Sequence, residues 1–143
     1  MSPVIMAAAV VLSAALVVIA AIHLVWALGI WWPVPDETRL ARAVVGTEGV
    51  TRMPGAIPCS IVVVALLFAS AWPWFMAAGD APLGRLGGWV LTGVFFLRGG
   101  LSYTPFWRRL APEDPFARLD RTLYGPICLA LGAGFLVVTA GTG

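Results

Sequence analysis

The sequence predicts an all-α fold, an integral membrane bundle of four transmembrane helices with short interfacial helices in loops one and three. Three observations carry that prediction: a polar-poor composition, four apolar runs of bilayer-crossing length, and arginines gathered in two of the three loops. Of the 143 residues, 60% are hydrophobic and 11% charged, and the mean hydropathy is +0.93. A soluble domain carries about 25% charged residues, so this chain lacks the polar surface needed to face water and calls for a lipid solvent. The net charge of +2 is small and held in loops, which excludes nucleic acid as a partner.

The first apolar run extends from Val4 to about Ile30 without an Asp, Glu or Arg. Some 20 residues cross a bilayer, so it has length to spare. It is too long for a cleaved signal peptide and lacks the basic start of one, and is read as a retained helix. Further runs cover about 56–78, 86–107 and 123–140, the third interrupted by Arg98. Residues 1–143 thus form one domain, and the longest polar stretch, Trp32 to Gly55, is too short to hold a core of its own.

Arginine placement sets the orientation. Loop one carries Arg39, Arg42 and Arg52, and loop three carries Arg108, Arg109, Arg118 and Arg121, against Arg85 alone in loop two. Seven against one puts loops one and three in the cytoplasm and both termini on the outer side. Trp31, Trp32 and Trp107 fall at the cytoplasmic ends of the runs, and Trp72, Trp74 and Trp89 at the opposite ends, where indoles favour the interface.

Each cytoplasmic loop has a helix signature. Asp36 is a good N-cap, with Leu40, Ala41, Val44 and Val45 opposite Arg39 and Arg42. Asp114-Pro115 starts a second helix that should bring Phe116, Leu119 and Leu123 to one face. Such helices suit the headgroup layer, with arginine toward anionic lipid. Gly125-Pro126 should bend or break the chain at the entry to the fourth span.

Two ionisable residues fall within the runs, His23 and Arg98, each about seven residues (roughly 10 Å) from the cytoplasmic end. Arg98 needs a counter-charge or a route to the headgroups; Asp120 and Glu48 are the nearest carboxylates by topology. Trp26 stands one turn from His23, Ser102 one turn from Arg98, and Tyr103, Tyr124 and Cys128 lie at similar depth. The outer half offers no comparable set. Two readings stay open: a pocket lined by His23, Trp26, Arg98, Ser102, Tyr103, Asp120 and Tyr124 that binds a small molecule or lipid headgroup, or a structural clamp. In the clamp, Arg98 pairs with Asp120 and His23 bonds a backbone carbonyl.

No catalytic constellation is present, so no catalytic residue is assigned. One histidine cannot supply a metal centre or bis-histidine haem, and no cofactor is expected. Cys59 and Cys128 form no Cys-x-x-Cys, and a disulfide between them is not expected in a reducing compartment. Gly84 and Gly88 match Gly-x-x-x-Gly, a weak pointer to a dimer in so Gly-rich a chain.

The stretch His23-Leu24-Val25-Trp26-Ala27-Leu28-Gly29 resembles the opening signature of a family of short bacterial four-span membrane proteins, domain of unknown function 3995. Phe96-Leu97-Arg98, Phe116-Ala117-Arg118-Leu119-Asp120 and Leu123 through Leu129 resemble its C-terminal half. Some relatives carry an acidic residue soon after the arginine, where this chain has Ser102, which directs Arg98 to Asp120. The resemblance implies a multi-pass protein of the bacterial cytoplasmic membrane and no particular activity. Three functions remain in order of preference: a non-enzymatic accessory or small-ligand or lipid-binding module, a homo-oligomeric transporter or channel, and a lipid- or isoprenoid-directed enzyme using His23 and Arg98. The partners these imply are the lipid bilayer and either a larger membrane complex or further copies of the chain.

Overall fold

In a computed structural model, which describes residues 1–79 and 82–143, the fold is all-helical, with no strand among the described residues. The elements are α1 (Pro3–Ala27), α2 (Glu37–Val44), α3 (Ala56–Ala77), α4 (Pro82–Leu101), α5 (Pro105–Leu110), α6 (Phe116–Leu119), a π-turn (Asp120–Tyr124) and α7 (Gly125–Gly141). Three helical stretches are long and apolar enough to cross a membrane: Pro3–Ala27, Ala56–Ala77 and Phe116–Gly141. The fourth long helix, α4, contains six glycines and two arginines, which dilute its apolar character.

The four long helices form a ring in which α1 packs on α3, α3 on α4, α4 on α7 and α7 on α1. Neighbours run antiparallel. Gly141 meets Ile5 and Gly134 meets Leu12, while Gly88 meets Thr139 and Gly99 meets Leu129. Both termini therefore share one end of the bundle, and residues 28–55 and 102–124 share the other.

Apolar side chains close the centre: Leu12 and Leu16 from α1, Ala69 and Met76 from α3, Leu131 and Phe135 from α7. Phe95 of α4 stacks on Phe135 with ring centroids 5.6 Å apart. The outward faces are equally apolar, with Val11, Val18, Ile57, Ile61, Phe68 and Leu97 exposed. Helices apolar all round belong in lipid, since water would not tolerate that outer belt. The half of the bundle nearer the termini is also less bare of polar links than the sequence implies. Ser13 Oγ donates to the Ser70 carbonyl at 2.7 Å and accepts from Trp74 Nε1 at 3.0 Å. These groups are uncharged and lie within the α1–α3 seam.

Several boundaries differ from the apolar runs, each for a local reason. α1 stops at Ala27 because Gly29 adopts φ +75. Its N–H donates to Trp26 O at 3.0 Å, and Ile30 N–H donates to Val25 O at 3.1 Å, a glycine-terminated helix end. α4 stops at Leu101 rather than continuing to Trp107, because Pro105 disfavours helix at Thr104. Thr104 then caps α5. His23 and Arg98 consequently lie four and three residues from their helix ends, roughly 6 and 4.5 Å deep, and shallower than the runs imply.

At Gly125-Pro126 the chain does not break. Pro126 has no N–H to offer, and the helix widens into a π-turn in which Gly125 N–H donates to Asp120 O. The extra residue rotates the register, so Phe116 is buried while Leu123 is exposed, and the two do not share the expected face.

The small residues of α4 serve this chain internally. Gly84, Gly88, Thr92 and Gly99 are its buried residues, and they let α3 and α7 approach closely. A Cβ at Gly99 would stand 2.9 Å from the Gly125 carbonyl oxygen, whereas one at Gly100 would meet open space. Gly99→Ala is expected to lower stability in detergent by about 1–3 kcal/mol through overpacking. Gly100→Ala is expected to raise it by about 0.5–1 kcal/mol, because alanine is the better helix former. Denaturant titration of the two variants checks the contrast, and equal losses would refute the close α4–α7 approach.

Candidate functional site: a carboxylate held by two arginines

The polar end of the bundle is organised around Asp120, whose side chain is 0% exposed. A carboxylate removed from water needs charge and hydrogen bonds in return. Arg98 Nη2 donates to Oδ1 at 2.8 Å. Arg108 Nη2 donates to Oδ2 at 3.0 Å, and Trp107 Nε1 donates to the same oxygen at 2.9 Å. Arg98 Nη1 also donates to Ser102 Oγ at 2.9 Å, and its guanidinium lies 5.0 Å from the centroid of the Trp107 ring.

Three local devices bring these groups together. Arg98 and Ser102 are one turn apart on α4 and its end. Thr104 Oγ1 accepts from Trp107 N at 3.3 Å and Pro105 occupies the first turn, so α5 starts at once and carries Trp107 and Arg108 back over the bundle. The π-turn sets Asp120 against them, with Gly125 packed on Ser102 where any Cβ would collide.

The cluster carries two guanidiniums against one carboxylate. Arg108 spends further donors on Ala111 O at 2.9 Å, yet its buried Nε has no partner. Arg98 and Arg108 keep 32% and 17% of their side-chain surface exposed. Donors and positive charge are in excess here.

The residues singled out in the sequence fall into separate groups. Arg98, Ser102 and Asp120 share the cluster, and Tyr103 adjoins it, its hydroxyl donating to Arg121 O at 3.0 Å. Tyr124 OH instead donates to Ala43 O at 2.9 Å and fastens loop one to the π-turn. His23 and Trp26 line a different cavity of about 130 Å³, together with Val45, Met53, Cys59 and Val62. There His23 Nδ1 lies 2.8 Å from Ile19 O, and its ring meets Trp26 edge-on at 4.9 Å. The helices bearing His23 and Arg98 stand across the ring from each other, and the lining of the His23 cavity includes neither Arg98 nor Asp120. Glu48 is exposed and makes no ion pair among the described residues. Cys59 and Cys128 are free thiols, and among the described residues no group of His, Cys, Asp and Glu is placed to hold a metal.

Sequence reasoning missed Trp107 and Arg108 as partners of Asp120. The signal was Thr104-Pro105, a helix start inside what reads as an unbroken run. It also missed the docking of the two polar loops. Glu113 N donates to Gly46 O at 3.0 Å, and Glu113 Oε1 accepts from Gly49 N at 3.2 Å. Phe116 fills the space over Gly46. Loop one has a small buried group of its own, Leu40, Ala41 and Met53, with Trp26 and Val45 against it. A stretch too short to fold alone thus holds a core, because it rests on the bundle end. Its helix α2 is capped by Asp36, whose Oδ1 accepts from Arg39 N at 2.9 Å, with Arg39 and Arg42 exposed.

Asp120→Asn is expected to lower unfolding free energy by about 3–5 kcal/mol, because two guanidiniums lose the carboxylate that pairs with both. Arg98→Ala should lower it less, since Arg108 and Trp107 still serve the carboxylate. The double variant should lose less than the sum of the two, by about 0.5–3 kcal/mol. Unfolding in detergent checks the cycle, and strict additivity would show that the pair does not interact.

The model of a family described as protein of unknown function, DUF3995, matches residues 16–135, a span that includes His23, Arg98 and Asp120. No curated protein and no solved structure matches the chain.

Proposed function

We propose that this chain, which belongs to the DUF3995 family of proteins of unknown function, is a four-span module of the bacterial cytoplasmic membrane that binds rather than catalyses. In this reading α4 is the fourth span. Its 20 residues reach roughly 30 Å, and it offers lipid an exposed apolar face of Leu83, Leu86, Val90, Val94 and Leu97. Arg98 is tolerable there because Asp120 neutralises it at the helix end. The two arginine-bearing loops share one end of the bundle, which fits the positive-inside rule with that end in the cytoplasm and both termini periplasmic.

The observation that carries the binding reading is the occupancy of the cluster. Both oxygens of Asp120 already accept strong hydrogen bonds, so it is not poised as a general base. What the cluster leaves available is positive charge and N–H donors, the equipment for holding an anionic group or a partner.

Sidedness is tested with Asp114→Cys in a chain whose Cys59 and Cys128 are changed to Ala. A membrane-impermeant thiol reagent should label it only after the cells are permeabilised, and labelling of intact cells would reverse the orientation. The binding reading predicts that His23→Ala restores any phenotype of gene deletion to the wild-type level. A variant present at normal abundance that fails to restore it would transfer the case to an enzyme acting through His23.

A further inference from the structure

We infer that the groove between α5 and the π-turn is a site for the phosphate group of an anionic phospholipid. This rests on reading the loop-bearing end as a membrane interface. The groove is open, about 440 Å³, and lined by Tyr103, Pro105, Arg108, Arg109, Pro112 and Arg121. Three guanidiniums face it and, among the described residues, no carboxylate lines it. Arg108 is held from behind by Asp120, while Arg109 and Arg121 form no ion pair among the described residues. Guanidinium forks match phosphate oxygens in pairs, and a site of this charge in an apolar setting favours a phosphate anion.

The groove is preorganised. The hydrogen bond from Tyr103 OH to Arg121 O at 3.0 Å joins its two walls, and the one from Arg108 Nη1 to Ala111 O at 2.9 Å fixes its floor. Pro105 and Pro112 stiffen the rim, so the backbone of the groove needs little ordering and binding has only the exposed arginine side chains to fix.

Its surroundings identify the source of the phosphate. On the same six-residue helix as Arg109, Phe106 and Leu110 are 63% and 52% exposed, and Leu123 within the π-turn is 46% exposed. Such side chains beside a basic groove suit a ligand that is anionic at one end and apolar at the other. A free phosphate ion would use only the charged half. A phospholipid whose phosphate sits among Arg108, Arg109 and Arg121 would lay its acyl chains along Phe106 and Leu110.

The test is thermal unfolding of the purified full chain in a nonionic detergent, titrated with phosphatidylglycerol, phosphatidylcholine or inorganic phosphate. Phosphatidylglycerol should raise the midpoint at concentrations where phosphatidylcholine does not. Arg109→Gln/Arg121→Gln should shift that titration to roughly twenty-five-fold higher lipid, about fivefold for each surface arginine. Both residues are exposed, and the single variants guard against misfolding of the double. Arg118→Gln, exposed and outside the groove lining, should leave the titration unchanged. The inference falls if phosphatidylglycerol has no advantage, or if Arg118→Gln weakens binding as much as Arg121→Gln, the mark of a diffuse field. Equal stabilisation by inorganic phosphate would also overturn the lipid assignment and give the groove to a soluble phosphate. The titration is blind to sidedness, so its failure leaves the orientation standing, and a reversed orientation leaves the lipid preference standing.

Discussion

A carboxylate with no exposed surface, set at the end of a lipid-facing helix bundle, constrains everything around it. Left without partners, Asp120 would destabilise the bundle, because burying a bare charge costs several kcal/mol even after relaxation. It is held by partners from two elements, Arg98 of α4 and Trp107 and Arg108 of α5, while it sits in the π-turn that leads into α7. Those bonds of 2.8–3.0 Å require close backbones. Gly99 and Gly125 provide them, their α-carbons facing atoms that leave no room for a methyl group. Gly99, Gly125, the π-turn and the short α5 are thus parts of one arrangement around the carboxylate.

The same arrangement makes the polar end of the bundle a fitted cap. Loop one is fastened to loop three through the two backbone-linked bonds of Glu113 and the Tyr124 hydroxyl on Ala43 O. Phe116 closes over Gly46, a position whose positive φ already favours glycine. Leu40, Ala41 and Met53 are buried as a result. Surface arginines on a mobile loop would offer only diffuse charge. Arginines on this cap start from fixed backbone positions, and a defined pattern of charge can discriminate among anions where a diffuse one cannot.

The sequence states the lipid solvent and the helical class plainly, since long uncharged runs leave few alternatives, and the resemblance carried by His23–Gly29 and Phe116–Leu129 adds the family. The pairing of Arg98 with Asp120 is legible too, because a guanidinium inside an apolar run must find a carboxylate and few are available. Other features resist a linear reading. That α5 turns back depends on Thr104-Pro105, a two-residue signal inside an apolar stretch that reads as span. The exposure of Leu123 depends on one extra residue in a π-turn, which no periodicity announces. His23 and Arg98 look like partners because they lie at similar depth, but depth says nothing of azimuth. The ring order places their helices opposite each other, and only tertiary packing decides that.

The charge balance of the cluster links its structural and functional sides. One carboxylate would suffice for Arg98, and the addition of Arg108 leaves a surplus positive charge and a buried Nε without a partner. A cluster selected for stability alone would gain from matching the charges, since an unmet buried donor costs about 1–3 kcal/mol. The surplus becomes favourable only where negative charge comes from outside, as it does beside an anionic leaflet. In the proposed orientation, Arg39, Arg42, Arg52, Arg109, Arg118 and Arg121 meet that leaflet, against Arg85 alone on the far side. The arginines that would hold these loops in the cytoplasm during insertion would then be the ones that bind headgroups afterwards. The membrane would be the counter-ion that the fold omits.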